Sequence, residues 1–104
     1  MKKRPVVHVD ILSKPHRLST KPDEGYLGQI EYTSRVISVS EEVPLDEGVD
    51  VLFHEALHGI SFHLDLKLSE HKVKLLEAGV LQFLRANGVK LTPLKRLIQK
   101  SRNR

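Results

Sequence analysis

The chain contains no cysteine and no tryptophan, and its aromatic residues are two tyrosines and three phenylalanines. Without thiols it can form neither a disulfide framework nor a cysteine-type zinc knuckle, so any metal must be held by histidine and carboxylate. No run of residues approaches the length of a membrane span. The basic start at residues 1–5 is followed only by a short, polar-interrupted stretch up to Leu12, which lacks the apolar core of a signal sequence. These absences lead us to expect a cytoplasmic protein with no membrane partner. Acidic residues stop at Glu77, whereas Arg85, Lys90, Lys95, Arg96, Lys100, Arg102 and Arg104 follow it, within a net charge of +4. Residues 89–104 therefore read as a basic tail or helix. Its simplest role is a solvated surface, and the sharper alternative is a contact with nucleic acid. A charge run without interleaved aromatics lacks the stacking platforms of a dedicated nucleic-acid binder.

At 104 residues the chain is one small domain, which must carry any chemistry on a single scaffold. Residues 5–12 are β-branched and partly alternating, as in a strand. Residues 13–24, with Pro15, Pro22 and scattered lysines, read as a loop. Residues 25–32 and 35–40 read as two further strands joined in a hairpin. Asp46 is a candidate cap for a helix whose apolar face is Val49, Leu52, Phe53, Ala56, Leu57, Ile60 and Leu64. Ser69 is the expected cap of a second helix through about residue 87, with Val73, Leu76, Val80, Phe83 and Leu84 on its buried stripe and Asn87-Gly88 as its stop. Thr92-Pro93 opens a short basic helix through about Lys100. The expected architecture is α+β: a small antiparallel meander of about three strands, a helix able to carry zinc, an antiparallel second helix and the basic C-terminal helix.

That first helix holds His54-Glu55-Ala56-Leu57-His58. Four residues advance a helix by about 400°, so the two histidines project from one face about 40° apart, one turn along the axis. Both imidazoles can reach one metal ion. Glu55 lies about 100° round from His54, poorly placed as an equal ligand but well placed to touch a water on the metal as a general base. Val51, Leu52, Gly59 and Ile60 around the motif are uncharged, which keeps a site dry and free of competing ligands. The bland reading is an amphipathic core helix with two half-buried histidines.

A catalytic zinc usually has three protein ligands and one water. Ser61 and Leu64 stand where a metzincin needs glycine and histidine, and His63 is turned about 140° away from His58, which makes it a surface or packing residue. The second helix offers Glu70, His71 and Glu77. An antiparallel hairpin with its turn near residues 64–69 sets Glu77 level with the histidine pair and Glu70 about 10 Å further along, while His71 leaves the apolar stripe. Glu77 is the favoured third ligand. Glu70 replaces it if the hairpin is splayed or the first helix shorter. A half-exposed glutamate paired with Lys74 is the ordinary alternative for Glu77.

The stretch Leu52-Phe53-His54-Glu55-Ala56-Leu57-His58-Gly59-Ile60, with Leu68-Ser69-Glu70 and residues 76–87, resembles the minimal zincins of phages and prophages related to the ImmA/IrrE and SprT-like groups, across roughly residues 25–88. The resemblance implies a zinc metallopeptidase fold, one Zn2+ per chain, His54 and His58 as ligands and Glu55 as catalytic base. The eighteen-residue spacing between His58 and Glu77 is similar to a common gluzincin arrangement, whereas several relatives take their third ligand near the start of the following helix, where Glu70 stands. The helix-turn-helix domain often joined to such proteins has no counterpart in these residues, so repressor cleavage is not implied. The expected activity is zinc-dependent hydrolysis of peptide bonds in a protein or peptide substrate, with residues 36–39 able to accept an extended peptide as an added strand. The alternative is a catalytically silent zinc fold that binds or regulates, contacting nucleic acid through its basic tail.

Overall fold

A computed structural model describes residues 6–22 and 25–103. The basic start, including Pro5, residues 23–24 of the expected loop and Arg104 lie outside the described residues. Among those described, the elements run β1 (Val7–Ile11), β2 (Lys14–Lys21), β3 (Gly28–Glu31), β4 (Val36–Ser40), α1 (Leu45–His63), α2 (Glu70–Ala86) and α3 (Thr92–Arg102). The class is α+β. The sheet, however, has four strands in the order β1-β2-β4-β3, and β2 pairs with β4 in parallel, so it is mixed where an antiparallel meander of three was expected.

The added strand is β2, which occupies residues expected to form a loop. Leu12 and Ser13 both adopt positive φ, +52° and +64°, the backbone of a two-residue turn whose twist matches a tight hairpin. The turn pairs Ile11 with Lys14 and Val7 with Leu18. Beyond it His16 and Leu18 point into the core while Pro15 and Arg17 point out. Pro15 is tolerated because it faces Asp10 across a non-hydrogen-bonded position of the hairpin, and β4 pairs only from Arg17 onward. Its missing N–H therefore removes no ladder bond. The hairpin of β3 and β4 forms as expected, with Glu31 opposite Val36 and Gly28 opposite Val39.

Helices α1 and α3 cover one face of this sheet. Val7, Ile11 and Leu18 from β1 and β2, Ile37 and Val39 from β4, Val49 and Leu52 from α1, and Ile98 from α3 form one buried cluster. α1 starts after Pro44 without a side-chain cap. Asp46, expected as the cap, sits instead in the first turn, where its charge complements the helix dipole and pairs with Lys95 Nζ at 2.6 Å. The Lys95 hydrogen bond and charge hold that carboxyl below its ordinary range. α2 is capped by Ser69, whose Oγ accepts from the Lys72 N–H at 3.2 Å, and ends at Gly88 with φ +75°. None of the described helices is long and apolar enough to cross a membrane.

Residues 89–103 are thus no loose tail. Ile98 is fully buried, Ser101 Oγ lies 2.7 Å from Thr20 Oγ1, and Arg102 Nη2 donates to the carbonyls of Ser40 and Val43 at 3.0 and 2.7 Å. Of the basic side chains expected to face solvent or nucleic acid, Arg102 instead ties α3 to the turn that starts α1, while Lys95, still exposed, pairs with Asp46 there. Truncating Ile98 to alanine is expected to destabilise the fold by about 2–4 kcal/mol through the cavity left between α3 and the sheet, read as a lowered urea midpoint at unchanged slope.

Candidate metal centre

α1 is held against the sheet by its small and apolar face. A Cβ on Gly59 would stand 3.0 Å from Ile11 Cδ1 and 3.1 Å from Ile30 Cδ1, so the absence of a side chain there lets the helix lie close. With Val49, Leu52 and Gly59 turned inward, helical periodicity turns His54 and His58 toward α2. The two rings stand edge to face, centroids 4.9 Å apart.

The connection between α1 and α2 doubles back over the last turn of α1. The Leu66 N–H donates to the Ser61 carbonyl at 2.9 Å and the Leu68 N–H to Ser61 Oγ at 3.0 Å. Asp65 and Lys67 take the left-handed backbone, both with φ +54°, that this path needs. As a result α2 begins beside His58 instead of beside His63, and the hairpin register differs from the one expected from a simple turn. Glu70, in the first turn of α2, reaches both histidines: Oε1 lies 2.6 Å from His54 Nε2 and Oε2 3.1 Å from His58 Nε2. Glu77, two turns on, bonds the other side of the same imidazole, with Oε1 2.7 Å from His54 Nδ1.

His54, His58 and Glu70 are the group whose ligand atoms lie within 4.8 Å of one another. The favoured Glu77 occupies the position of an outer partner. His71 is exposed and takes no part. His63 packs edge to face against the buried His16, centroids 5.6 Å apart, and burial together with the charges of Lys14, His16 and Arg35 keeps it below the ordinary histidine range.

The donor set suits a cation. Ionised carboxylates only accept hydrogen bonds, and His54 has a glutamate carboxyl within hydrogen-bond distance of each ring nitrogen. A divalent ion among the two Nε2 atoms and Glu70 would satisfy all three. His54 Nδ1–H would then donate to Glu77, the carboxylate–histidine pairing that commonly orients metal-bound imidazoles. Two neutral imidazoles and one carboxylate match the preferences of zinc, and also those of several other divalent metals.

Glu55 faces the strand side of the same cleft, about 570 Å³ in volume, which His54, Glu70 and Glu77 also line. Burial pushes its carboxyl above the ordinary glutamate range, outweighing the opposing pull of His54 and His58. Gly28 at the start of β3 allows this close approach. A Cβ there would collide with Val51 and would stand 3.3 Å from both Cγ and Oε2 of Glu55. Tyr32, in the turn after β3, stacks on Phe62 with centroids 4.3 Å apart and planes within 4°. Phe62 follows His58 by one turn on the same helix face, so the phenol is held at the edge of the site. Its hydroxyl is raised above the ordinary range by burial and by the charges of Glu55 and Glu70. Sequence reasoning passed over both residues. A glycine inside a strand pattern is the signal that could have found Gly28; nothing local marks Tyr32.

No family model, curated protein or solved structure significantly matches the chain.

Because burial raises Glu55, the folded protein binds that proton more tightly than the unfolded chain. Its contribution to stability is complete below the unfolded glutamate range and is lost as pH rises through the raised folded value. In chelator-treated protein, Glu55→Gln is therefore expected to raise the melting temperature at pH 7 and to leave it nearly unchanged at pH 4; equal effects at both would exclude the buried charge as the cause.

Proposed function

We propose that the protein is a zinc-dependent peptidase, with His54, His58 and Glu70 as the metal ligands, Glu77 as the carboxylate that orients His54, and Glu55 as the general base. The observation that carries this reading is Glu70 spanning the Nε2 atoms of both histidines, with the buried carboxyl of Glu55 in the same cleft.

Bound there, zinc would supply Lewis acidity toward a scissile carbonyl and would bring the pKa of a water toward neutrality. The chain's own residues do the rest. Glu55 takes the proton from the attacking water and passes it to the leaving amine, a transfer favoured by its raised pKa, since a base nearer the working pH both accepts and releases protons readily. Glu77 accepts from His54 Nδ1–H and so fixes which nitrogen faces the metal. Tyr32, rigid through its stack on Phe62, can offer its hydroxyl to developing negative charge at the carbonyl oxygen.

The substrate-docking strand differs from the one expected. β4 lies between β2 and β3 and has both edges paired, so residues 36–39 cannot accept a peptide. β3 is the sheet edge beside the cleft, and Leu27 and Gly28 line that cleft. An extended peptide paired with β3 would lie across the mouth of the site, held by backbone hydrogen bonds that read little sequence.

The test is metal content and peptide hydrolysis measured together. Purified protein should hold one zinc per chain. Glu55→Gln should keep the metal and lose at least about 100-fold in turnover, Glu70→Ala should lose the metal, and Glu77→Gln should weaken metal affinity about 10–100-fold. Full turnover in Glu55→Gln, or full zinc content in Glu70→Ala, would overturn the assignment of that residue. Tyr32→Phe should lower kcat by about tenfold or more with KM and zinc content unchanged. Unchanged turnover would leave Tyr32 with its packing role alone.

A further inference from the structure

The second helix carries an apolar surface that nothing among the described residues covers. Val73 and Leu81 bury one side of α2 against α1. Leu75, Leu76, Val80 and Phe83, several of them expected in the core, are 59%, 43%, 37% and 63% exposed. At 100° per residue these side chains, with Gly79 and Ala86, fill a continuous arc on the side of the helix away from α1. A helix apolar on two faces is normally buried on both, and here only one face has a partner.

We infer that this face is a homodimer interface, in which α2 packs antiparallel against α2 of a second copy about a two-fold axis through Gly79. The residues are arranged as such an axis requires. Leu75 and Phe83 lie four residues either side of Gly79, and Lys72 and Ala86 seven either side. A two-fold axis at Gly79 sets Leu75 of each copy opposite Phe83 of the other, and Lys72 opposite Ala86. A parallel pair would instead set Lys72 on Lys72. A Cβ added to Gly79 meets nothing within 4 Å, so the backbone at the centre of the face is open for a second helix to approach closely.

The area is enough for a pair and little more. Taking about 200 Å² for a fully exposed large side chain, the four exposures leave about 400 Å² of apolar surface per copy, the size of patch that on a monomer is often functional. Together with the flanking Lys72 stem, Gly79 and Ala86, a dimer would hide about 1,000 Å² in total, at the lower limit for a specific interface. An interface at that lower limit is that of a weak, reversible dimer. Glu70 and Glu77 project from the α1 side of the helix, so both metal centres remain open in the pair. The inference does not depend on the metal.

Sedimentation velocity of the full chain from about 1 μM to about 500 μM should show a monomer passing into a dimer. Phe83→Glu removes two apolar anchors from each symmetric pair and should raise the dissociation constant more than about 100-fold. Its far-UV circular dichroism and zinc content should stay as in the parent, because Phe83 is exposed. Since the chain has no cysteine, Gly79→Cys supplies a single thiol, which should oxidise to a covalent dimer only if the two Gly79 positions come within about 4.4–6.8 Å. Gln82→Cys, three residues off the axis, should not. A chain that stays monomeric throughout, or a dimer that Phe83→Glu leaves intact and Gly79→Cys fails to cross-link, overturns the proposal.

Discussion

The arrangement turns on one imidazole. His54 lies between Glu70 at Nε2 and Glu77 at Nδ1, two carboxylates that sit two turns apart on α2. Besides these bonds α2 is joined to α1 by few buried apolar residues, chiefly Val73 and Leu81, by the His58–Glu70 contact, and by the exposed Arg85–Asp50 pair at 2.7 Å. Exposed pairs contribute little, and Glu70 is itself exposed, so the register of the helical hairpin rests largely on the more buried His54–Glu77 bond together with Val73 and Leu81. A carboxylate–imidazole clamp is satisfied only within a narrow geometry, whereas an apolar stripe tolerates sliding. The same contacts that could hold a metal therefore fix where α2 lies, which couples occupancy of the site to the packing of that helix.

The other half of the centre depends on the sheet. α1 can present histidines to α2 only because its opposite face is pressed onto β1, β3 and β4 through Val49, Leu52 and Gly59, with α3 closing the core through Ile98. Gly28 brings β3 against Glu55 on the same principle: the site is tight where a side chain is missing. Burial that raises the Glu55 carboxyl goes with the close approach of β3 at Gly28, on the side of α1 that faces the sheet.

What the sequence made legible was what is local. The spacing of His54, Glu55 and His58 fixes their mutual geometry on any helix, so these three were readable without knowing the fold, as were the Ser69 cap and the stop at Gly88. β2 was hidden because its alternation is carried by His16 and Leu18 among lysine, arginine and proline, and its one β-branched residue, Thr20, lies near its end. Its strand character is imposed by the turn at Leu12-Ser13 and by pairing on both sides, where tertiary context overrides propensity. The mixed topology could not be read either, because parallel pairing of β2 with β4 joins residues that are far apart along the chain. Glu70 and Glu77 were both identified as candidates, yet their order of preference rested on a hairpin turning directly at residues 64–69. The hydrogen bonds from Leu66 and Leu68 back to Ser61 change that register, so that Glu70 reaches the Nε2 atoms of both histidines while Glu77 bonds His54 Nδ1.

The exposed stripe on α2 follows from the same geometry. The apolar periodicity of Leu76, Val80 and Phe83 was read as a buried helix face, and the structure leaves all three side chains exposed. A helix anchored by a polar clamp on one side of α1 cannot also reach the sheet, because α1 stands between them. Its remaining apolar surface must then stay in water or find a surface outside this fold. Hydrophobic patterning reports that a face is to be covered, and it is indifferent to whether the cover belongs to the same chain. In a domain this small, with a core already shared among a four-stranded sheet and two helices, the leftover face of a third helix is where association with another molecule is least opposed by the fold itself.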